Sequence, residues 1–133
     1  MKRLFADTFF FLAYLSSTDF AHAKAVDYFD LFEGELITTE SVLTELADGM
    51  ATPGDRDIFI EFYDTLRSEP DVQIVATGAE LFAEGMNLFR SRLDKKWSLT
   101  DCISFVVMRR EGLTEALTGD HHFEQAGFGA LLK

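Results

Sequence analysis

The sequence has few of the residues that would place it in several common protein classes. It contains one cysteine, Cys102, in 133 residues, which excludes an internal disulfide, and no cysteine and histidine cluster has the spacing of a zinc site. Only two prolines and nine glycines occur, too few for linkers or low-complexity segments. No apolar run reaches the roughly 20 residues of a membrane helix. We therefore expect one globular domain over residues 1–133 and no membrane association.

Basic residues are also scarce. The chain has 12 lysines and arginines against 23 aspartates and glutamates, a net charge of −11. A protein that bound nucleic acid only by neutralising phosphates would be basic. An acidic chain either avoids polyanions or carries bound cations that invert the local field. It also suits a basic partner.

The first 23 residues leave two interpretations open. Lys2 and Arg3, the apolar run 9–15 and the small residues around His22 resemble a cleaved export signal. Asp7 opposes that interpretation, because a carboxylate beside the apolar run is costly to insert in lipid. Polar residues also shorten the run to roughly half a membrane span. The alternative is a buried first strand with a helix after it.

Short apolar stretches alternate with amphipathic ones along the chain. The predicted strands are Arg3–Ala6, Glu35–Thr38, Val72–Ala76, Glu115–Thr118 and a weak Phe128–Leu132. The predicted helices are Thr8–Leu15, Phe20–Glu33 ended by Gly34, Thr39–Gly49, Thr52–Ser68 with Pro53 first, Thr77–Leu93 opened by a capping box with Glu80, and a central one from Ser98. This alternation predicts an α/β domain with a parallel sheet.

Four acids occur near the expected carboxyl ends of strands, where ligands collect in open parallel sheets. Asp7 and Asp120 follow strands, Glu45 lies about two turns into the helix after the second strand, and Asp101 is in the first turn of the central helix. Clustered carboxylates repel one another unless a cation is bound. Hard oxygen ligands suit Mg²⁺ or Mn²⁺, and two such ions can clamp a phosphodiester for hydrolysis.

Each acid also has a purely structural interpretation. Asp7 and Asp120 stand where helix N-caps stand. Asp101 lies three residues after Ser98, which is a capping-box spacing. Glu45 suits a solvated helix face. Spacing alone leaves both interpretations open.

The acids with their neighbours resemble a PIN domain, the nuclease fold of VapC-type toxins. The matching motifs are Asp7-Thr8, Thr39-Glu-Ser-Val42-Leu-Thr-Glu45, Trp97-Ser98-Leu-Thr100-Asp101 and Thr118-Gly-Asp120-His-His122-Phe123. The resemblance spans almost the whole chain in order. It implies a three-layer α/β domain with a central parallel sheet of about five strands, Mg²⁺ or Mn²⁺ as cofactor, and endoribonuclease activity. It also implies that Asp7 is retained and that the protein is cytoplasmic.

The resemblance further implies roles for individual residues. Metal binding and catalysis would fall to Asp7, Glu45, Asp101 and Asp120, with Glu45 either a ligand or a group that orients bound water. The hydroxyls of Thr8, Ser98 and Thr118 would fix the carboxylates, although capping and turn bonding are equally open for them. His122 would either help to position a phosphate or be structural.

RNA must still approach an acidic protein, and the clearest basic run lies just before Ser98. We expect Arg92, Lys95, Lys96 and Trp97 to form an RNA-contacting loop in which the indole stacks on a base. The alternative is a helix C-terminus favoured by cations, with Trp97 in the core. The resemblance implies a small antitoxin as protein partner and homodimerisation.

Two other functions suit an α/β chain of this size. A non-catalytic interaction module with the same fold would lack metal-dependent RNA cleavage. A phospho-accepting receiver domain would need an acidic pair after the first strand and a lysine after the last. Asp7 stands alone with Thr8, and Lys133 is merely terminal, which disfavours the receiver.

Overall fold

A parallel sheet of five strands, flanked by seven helices, organises the chain. The computed structural model describes all residues from 1 to 133. In chain order the elements are β1 (Lys2–Ala6), α1 (Thr8–Leu15), α2 (His22–Leu31), β2 (Gly34–Thr39), α3 (Glu40–Gly49), α4 (Pro53–Ser68), β3 (Val72–Val75), α5 (Ala79–Ser91), α6 (Leu99–Glu111), β4 (Glu115–Leu117), α7 (His121–Gln125) and β5 (Gly129–Ala130). The predicted fold class is thereby confirmed.

The strand order is β3-β2-β1-β4-β5, and every neighbouring pair is parallel. β1 is central, pairing Phe5 with Ile37 of β2 on one side and with Ala116 of β4 on the other. The chain leaves β1 towards β2 and β3 and later returns to the opposite side of β1. The carboxyl ends of β1 and β4 therefore flank the crevice where the strand order reverses.

Phenylalanine fills much of the core between the sheet and the helices. Phe5, Phe10, Phe11, Phe105 and Phe123 are all less than 2% exposed. Because sheet faces covered by helices are apolar on both sides, β1 carries a continuous buried run rather than alternating residues. In the folded chain the N-terminal segment forms β1 and α1, as the second interpretation of that segment expects.

The predicted central helix is α6, which buries seven of its 13 residues. It ends at Gly112, whose φ of 68° lies in the left-handed region that favours glycine. The amide of Leu113 donates to the carbonyl of Met108 at 2.8 Å and closes the helix end. None of the seven helices combines the length and the apolar character needed to span a bilayer.

Several predicted boundaries are wrong. Gly34 does not end a helix; it begins β2, where a Cβ would lie 2.3 Å from the carbonyl oxygen of Lys2. The second helix starts at His22 rather than Phe20, because the carboxylate of Asp19 accepts from the amide of Ala21 in a turn. The fifth strand is only Gly129–Ala130, and α7 is a helix that the sequence pattern does not predict.

The predicted capping box at Thr77 is also absent. Gly78 is the N-cap of α5, and it makes no side-chain cap bond. Thr77 bonds to α3 instead: its hydroxyl is 2.8 Å from that of Ser41, and its amide donates to Glu40 Oε1 at 2.7 Å. A tertiary contact has therefore replaced the local one.

Candidate active site

Asp7 follows β1 directly and is 4% exposed. It occupies the N-cap position of α1, yet its side chain makes no cap bond. Its Oδ2 instead accepts from the hydroxyl of Thr118 at 2.9 Å, across the two strands that flank the crevice. The purely structural interpretation of Asp7 as a helix cap is therefore wrong.

Glu45 lies in the second turn of α3, on the side that faces the start of α1. Its Oε1 accepts from the hydroxyl of Thr8 at 2.6 Å. Val42 and Leu46 anchor the buried face of α3 beside it. Glu45 is half-buried and held by a neighbour of Asp7, which does not fit a freely solvated side chain.

Asp101 and Ser98 form the capping box that opens α6. The hydroxyl of Ser98 accepts from the amide of Asp101 at 3.0 Å, and Asp101 Oδ2 accepts from the amide of Ser98 at 3.1 Å. The same Oδ2 lies 2.9 Å from Nδ1 of His122. Asp101 therefore both caps its helix and belongs to a longer-range network.

Asp120 closes the network at the end of β4. Its amide donates to the hydroxyl of Thr118 at 3.0 Å, and its Oδ1 accepts from the amide of His122 at 2.9 Å, which caps α7. Nδ1 of His122 is also 3.4 Å from Asp120 Oδ1. Two bridging side chains, Thr118 and His122, thus link Asp120 to Asp7 and Asp101.

The four carboxylates share one feature. In each of them one oxygen bonds to the protein and the other has no hydrogen-bond partner: the free oxygens are Asp7 Oδ1, Glu45 Oε2, Asp101 Oδ1 and Asp120 Oδ2. No fully buried side-chain oxygen in the chain lacks a partner, so none of these oxygens is sealed unpaired in the core. Asp7 is the most enclosed of the four at 4% exposure, and its carboxylate also lies near the amide of Thr8. The protein fixes one side of each carboxylate and leaves the other side available to a ligand.

No lysine or arginine offsets this charge, since the only ion pairs of the cluster are with His121 and His122. The pKa of Asp7 is raised to about 7, mainly by burial and then by the charges of Asp101 and Glu45, against the bonds from Thr118 and the backbone of Thr8. Burial likewise raises the pKa of Asp101, helped by Asp120 and opposed by the bonds from Ser98 and His122. The cluster carries more negative charge than its surroundings compensate.

The residues fit a hard divalent cation. Carboxylate oxygens are the ligands that Mg²⁺ and Mn²⁺ prefer. Such a cation would offset both the burial and the neighbouring charges that raise the pKa of Asp7. The tightest group of potential ligand atoms is Asp120, His121 and His122, all within 4.8 Å of one another. In that group Nδ1 of His122 already bonds to Asp101. No three of the four carboxylates bring their oxygens as close together, so a cation held by all four would have to draw them inwards.

His122 contributes more to the site than its place in the sequence indicates. A histidine two residues after a strand-end acid can turn back to that acid. The spacing of Asp120 and His122 is therefore the one feature of the sequence that indicates a role for His122 in the site. Its bond to Asp101, 21 residues away in the chain, depends on the packing of α6 beside α7. No sequence pattern contains that contact.

The predicted RNA-contacting loop divides into exposed and buried parts. Arg92 makes a bidentate pair with Asp94 at 3.0 Å for both bonds, and Lys95 is 3.8 Å from the same carboxylate. Lys96 is exposed and has no ion-pair partner. Trp97 is only 4% exposed, so the expectation that its indole stacks on a base is wrong for this conformation and the core alternative holds.

The fold and the cluster together define an α/β domain with an acidic site at the reversal point of a parallel sheet. The sequence profile of the PIN domain family matches residues 4–129. The chain therefore belongs to the PIN domain family, and the resemblance seen in the motifs is confirmed at that level. No curated protein sequence is detectably similar to it.

Several solved structures share this fold. VapC20 of Mycobacterium tuberculosis, described as a sarcin-ricin loop cleaving toxin, is 24% identical with a TM-score of 0.84, over 94% of this chain and 95% of that one. FitAcB from Neisseria gonorrhoeae is 15% identical with a TM-score of 0.65, over 96% and 94%. VapBC2 from Rickettsia felis, bound to a DNA fragment from its promoter, is 11% identical with a TM-score of 0.69, over 97% of both.

Metal binding should stabilise the folded chain. We expect Mg²⁺ or Mn²⁺ at one hundred times its dissociation constant to add about 2.7 kcal/mol to the free energy of unfolding. Thermal melts in EDTA and in saturating metal would measure this, with Ca²⁺ as a test of size selectivity. An unchanged midpoint would mean that the acids share protons instead of binding a cation.

Proposed function

We propose that this PIN domain is a divalent-metal-dependent endoribonuclease and the toxin of a toxin–antitoxin pair. The observation that carries the proposal is the cluster of four carboxylates, each held by the protein through one oxygen and open at the other. The description of VapC20 as a toxin that cleaves the sarcin-ricin loop supports RNA as the substrate class.

The roles proposed for the residues follow from the contacts. Asp7, Asp101 and Asp120, with Glu45, would hold the cation, which supplies charge stabilisation to a phosphodiester when bound. Thr118 fixes the rotamer of Asp7, and Thr8 fixes that of Glu45. These hydroxyls matter because a misplaced ligand weakens both binding and reaction. Ser98 serves Asp101 through the capping box.

His122 would act as a positioning residue within the cluster. Its Nδ1 lies 2.9 Å from Asp101 and 3.4 Å from Asp120, so it sets the separation of two carboxylates on different elements. Its bond to Asp101 leaves Nε2 for other contacts.

The proposal is tested by the cleavage of labelled RNA by purified protein. We expect cleavage with Mg²⁺ or Mn²⁺, none in EDTA, and a loss of at least about 100-fold in Asp7→Asn. Asp57→Asn, an exposed aspartate of α4, is the matched control for a co-purifying nuclease and should retain full activity. A metal-independent signal, or no cleavage of any RNA, would favour the non-catalytic interaction module.

The basic loop, defined as residues 92–96, is the proposed approach of the RNA. Replacing Arg92, Lys95 and Lys96 by glutamine should weaken RNA binding and lower the log–log salt slope by about 0.7 for each phosphate that is no longer neutralised. In the free protein Asp94 already pairs with Arg92 and Lys95. The log–log salt slope should therefore fall by less than the value for three phosphates.

The control for this experiment removes the same charge elsewhere. Lys2, Lys24 and Arg67 changed to glutamine should leave the slope as in the wild type. Equal slopes for the two triple variants would show that the strand enters by another route. Arg110 is a weaker candidate for that route, because it pairs with Glu84 at 2.8 Å.

The proposed protein partner is a small antitoxin whose basic segment covers the acidic cluster, in a cytoplasmic complex. The net charge of −11 favours such a segment. Homodimerisation is proposed as well, and the strongly exposed Phe20 and Leu31, 86% and 72% exposed, supply apolar surface near α2. Light scattering of the purified chain would distinguish a dimer from a monomer.

A further inference from the structure

A groove borders the acidic cluster on the side where α3 faces α5 and α6. Its volume is about 330 Å³, within the range of small-ligand sites. Glu45 lines the groove as well as belonging to the cluster, and Thr44 and Asp48 extend the same face of α3. Phe82 of α5 and Thr100 of α6 line it from the other side. The groove is therefore continuous with the proposed site of cleavage.

Phe82 presents an aromatic ring at the edge of the groove. It is 48% exposed, and the face of α5 that packs on the core is occupied by Leu81 and Gly85. At Gly85 the helices are so close that a Cβ would lie 2.4 Å from the side chain of Ile103. Core packing therefore does not require the ring of Phe82, which remains available to a planar ligand.

The polar groups of the groove are of two kinds. The hydroxyl of Thr44 donates to the carbonyl of Glu40, and that of Ser41 is 2.8 Å from Thr77. By contrast, the carboxylate of Asp48 and the hydroxyl of Thr100 make no hydrogen bond or ion pair within the chain. An acceptor and a hydroxyl are thus free on the walls of the groove.

Charge decides which part of a nucleotide fits here. Away from the proposed cation, the carboxylate of Asp48 repels phosphate, so the sugar-phosphate backbone would avoid that part of the groove. A nucleobase is uncharged, has two faces that stack on aromatic rings, and carries edge groups that hydrogen-bond. A carboxylate accepts from the amino groups of guanine, adenine and cytosine. Uracil has no amino group and offers such an acceptor only its ring N3–H.

We propose that this groove binds one unpaired base of the RNA beside the scissile phosphate, stacked on Phe82, with Asp48 selecting bases that carry an amino group. The inference rests on the proposed ribonuclease function and adds to it a position at which the substrate is read. Such a pocket requires an unstacked base and therefore directs the enzyme to loops or single strands.

The test measures binding of labelled oligoribonucleotides by fluorescence anisotropy in Mg²⁺. All proteins carry Asp101→Asn, so that RNA stays intact. Phe82→Ala should weaken binding by about 5- to 150-fold, the range for loss of one stacked base. Phe82→Trp should retain affinity, and its added indole fluorescence should be quenched by RNA. Ile60→Ala, a similarly exposed residue of α4 (50%), is the control and should bind normally.

Abasic substitution identifies the base. One abasic position should weaken binding to the parent protein and have no further effect on Phe82→Ala, because both changes remove the same stacking interaction. At that position a change to uracil should weaken binding to the parent, and Asp48→Asn should reduce this preference. The ratio between bases is the readout, since loss of a negative charge alters affinity for every RNA.

The outcomes separate this inference from the proposed function. Wild-type protein that cleaves RNA, while Phe82→Ala binds every oligonucleotide as the parent does, would overturn the base pocket alone. Protein that neither binds nor cleaves any RNA would overturn both. Melting temperatures of all variants within a few degrees of the parent would show that lost binding is not lost folding.

Discussion

Asp7→Asn is expected to be more stable than the wild type at pH 8 in metal-free buffer, although it should lose RNA cleavage. The carboxyl group of Asp7 has a pKa of about 7 in the folded chain, against an ordinary value of 3.8. Keeping it ionised in the fold therefore costs free energy at pH 8. The difference of about three pH units corresponds to about 4 kcal/mol, and relaxation of the site should reduce the measured gain to about 2–4 kcal/mol.

The same shift fixes the sign of the pH dependence. Between about pH 4 and pH 7 the unfolded chain releases the Asp7 proton while the folded chain retains it, so this group lowers stability as the pH rises. Above about pH 7 both states are ionised, and the loss is complete. In Asp7→Asn this dependence should disappear, since an amide does not titrate and its oxygen can still accept from Thr118.

Urea unfolding in EDTA from pH 4 to pH 8 would measure both effects. Asp57→Asn, at an exposed position, should follow the wild-type profile throughout. Saturating Mg²⁺ should narrow the difference at pH 8, because it stabilises the wild type more than the variant, which lacks one ligand. If Asp7→Asn were less stable than the wild type in EDTA at pH 8, the ionised carboxylate of Asp7 would not be destabilising the fold.

The strand ends could be predicted from the sequence, and the bonds between them could not. Buried apolar runs followed by an acid place Asp7 and Asp120 at the carboxyl edge of a parallel sheet. The contact between Thr118 and Asp7 spans 111 residues and exists because β1 and β4 are neighbours. Strand order is a tertiary property, and periodicity within each strand carries no information about it.

Sequence spacing predicts a capping box correctly only where no side chain from another element competes for the same groups. Ser98 and Asp101 have capping-box spacing and form that box. Thr77 and Glu80 have the same spacing, yet Thr77 bonds to α3 because Ser41 and Glu40 lie beside it. The sequence could not decide between a capping role and a role in the acidic cluster for Asp101. In the structure Asp101 has both.

Trp97, next to the candidate site, has two interpretations in the sequence, base stacking and core packing, and its burial decides between them. Trp97 follows a basic run, a pattern typical of strand-binding loops. Its indole nevertheless packs edge-on against Phe105 at 5.0 Å and donates from Nε1 to Gln125 at 3.0 Å. The guanidinium of Arg92 covers the ring at 5.1 Å. The indole therefore fills the space where the start of α6 meets α7.

Trp97→Ala should consequently lose about 3–5 kcal/mol of folding free energy, as truncation of a buried aromatic does. The melting temperature should fall by roughly 10–20 °C. Trp97→Phe retains most of the buried area and should lose only about 1–2 kcal/mol, mainly through the bond to Gln125. Leu93→Ala, in the same loop at 88% exposure, is the control and should change stability by less than about 0.5 kcal/mol.

Metal affinity should change with the packing at Trp97. Asp101 lies one helical turn beyond it on α6, and His122 lies on α7, so a cavity between these helices would loosen the bond between the two side chains. We expect Trp97→Ala to bind Mg²⁺ or Mn²⁺ about 10–100-fold more weakly, as for loss of a group that orients a ligand. RNA binding that falls in this variant while stability and metal affinity are unchanged would instead restore the indole as a base-stacking residue.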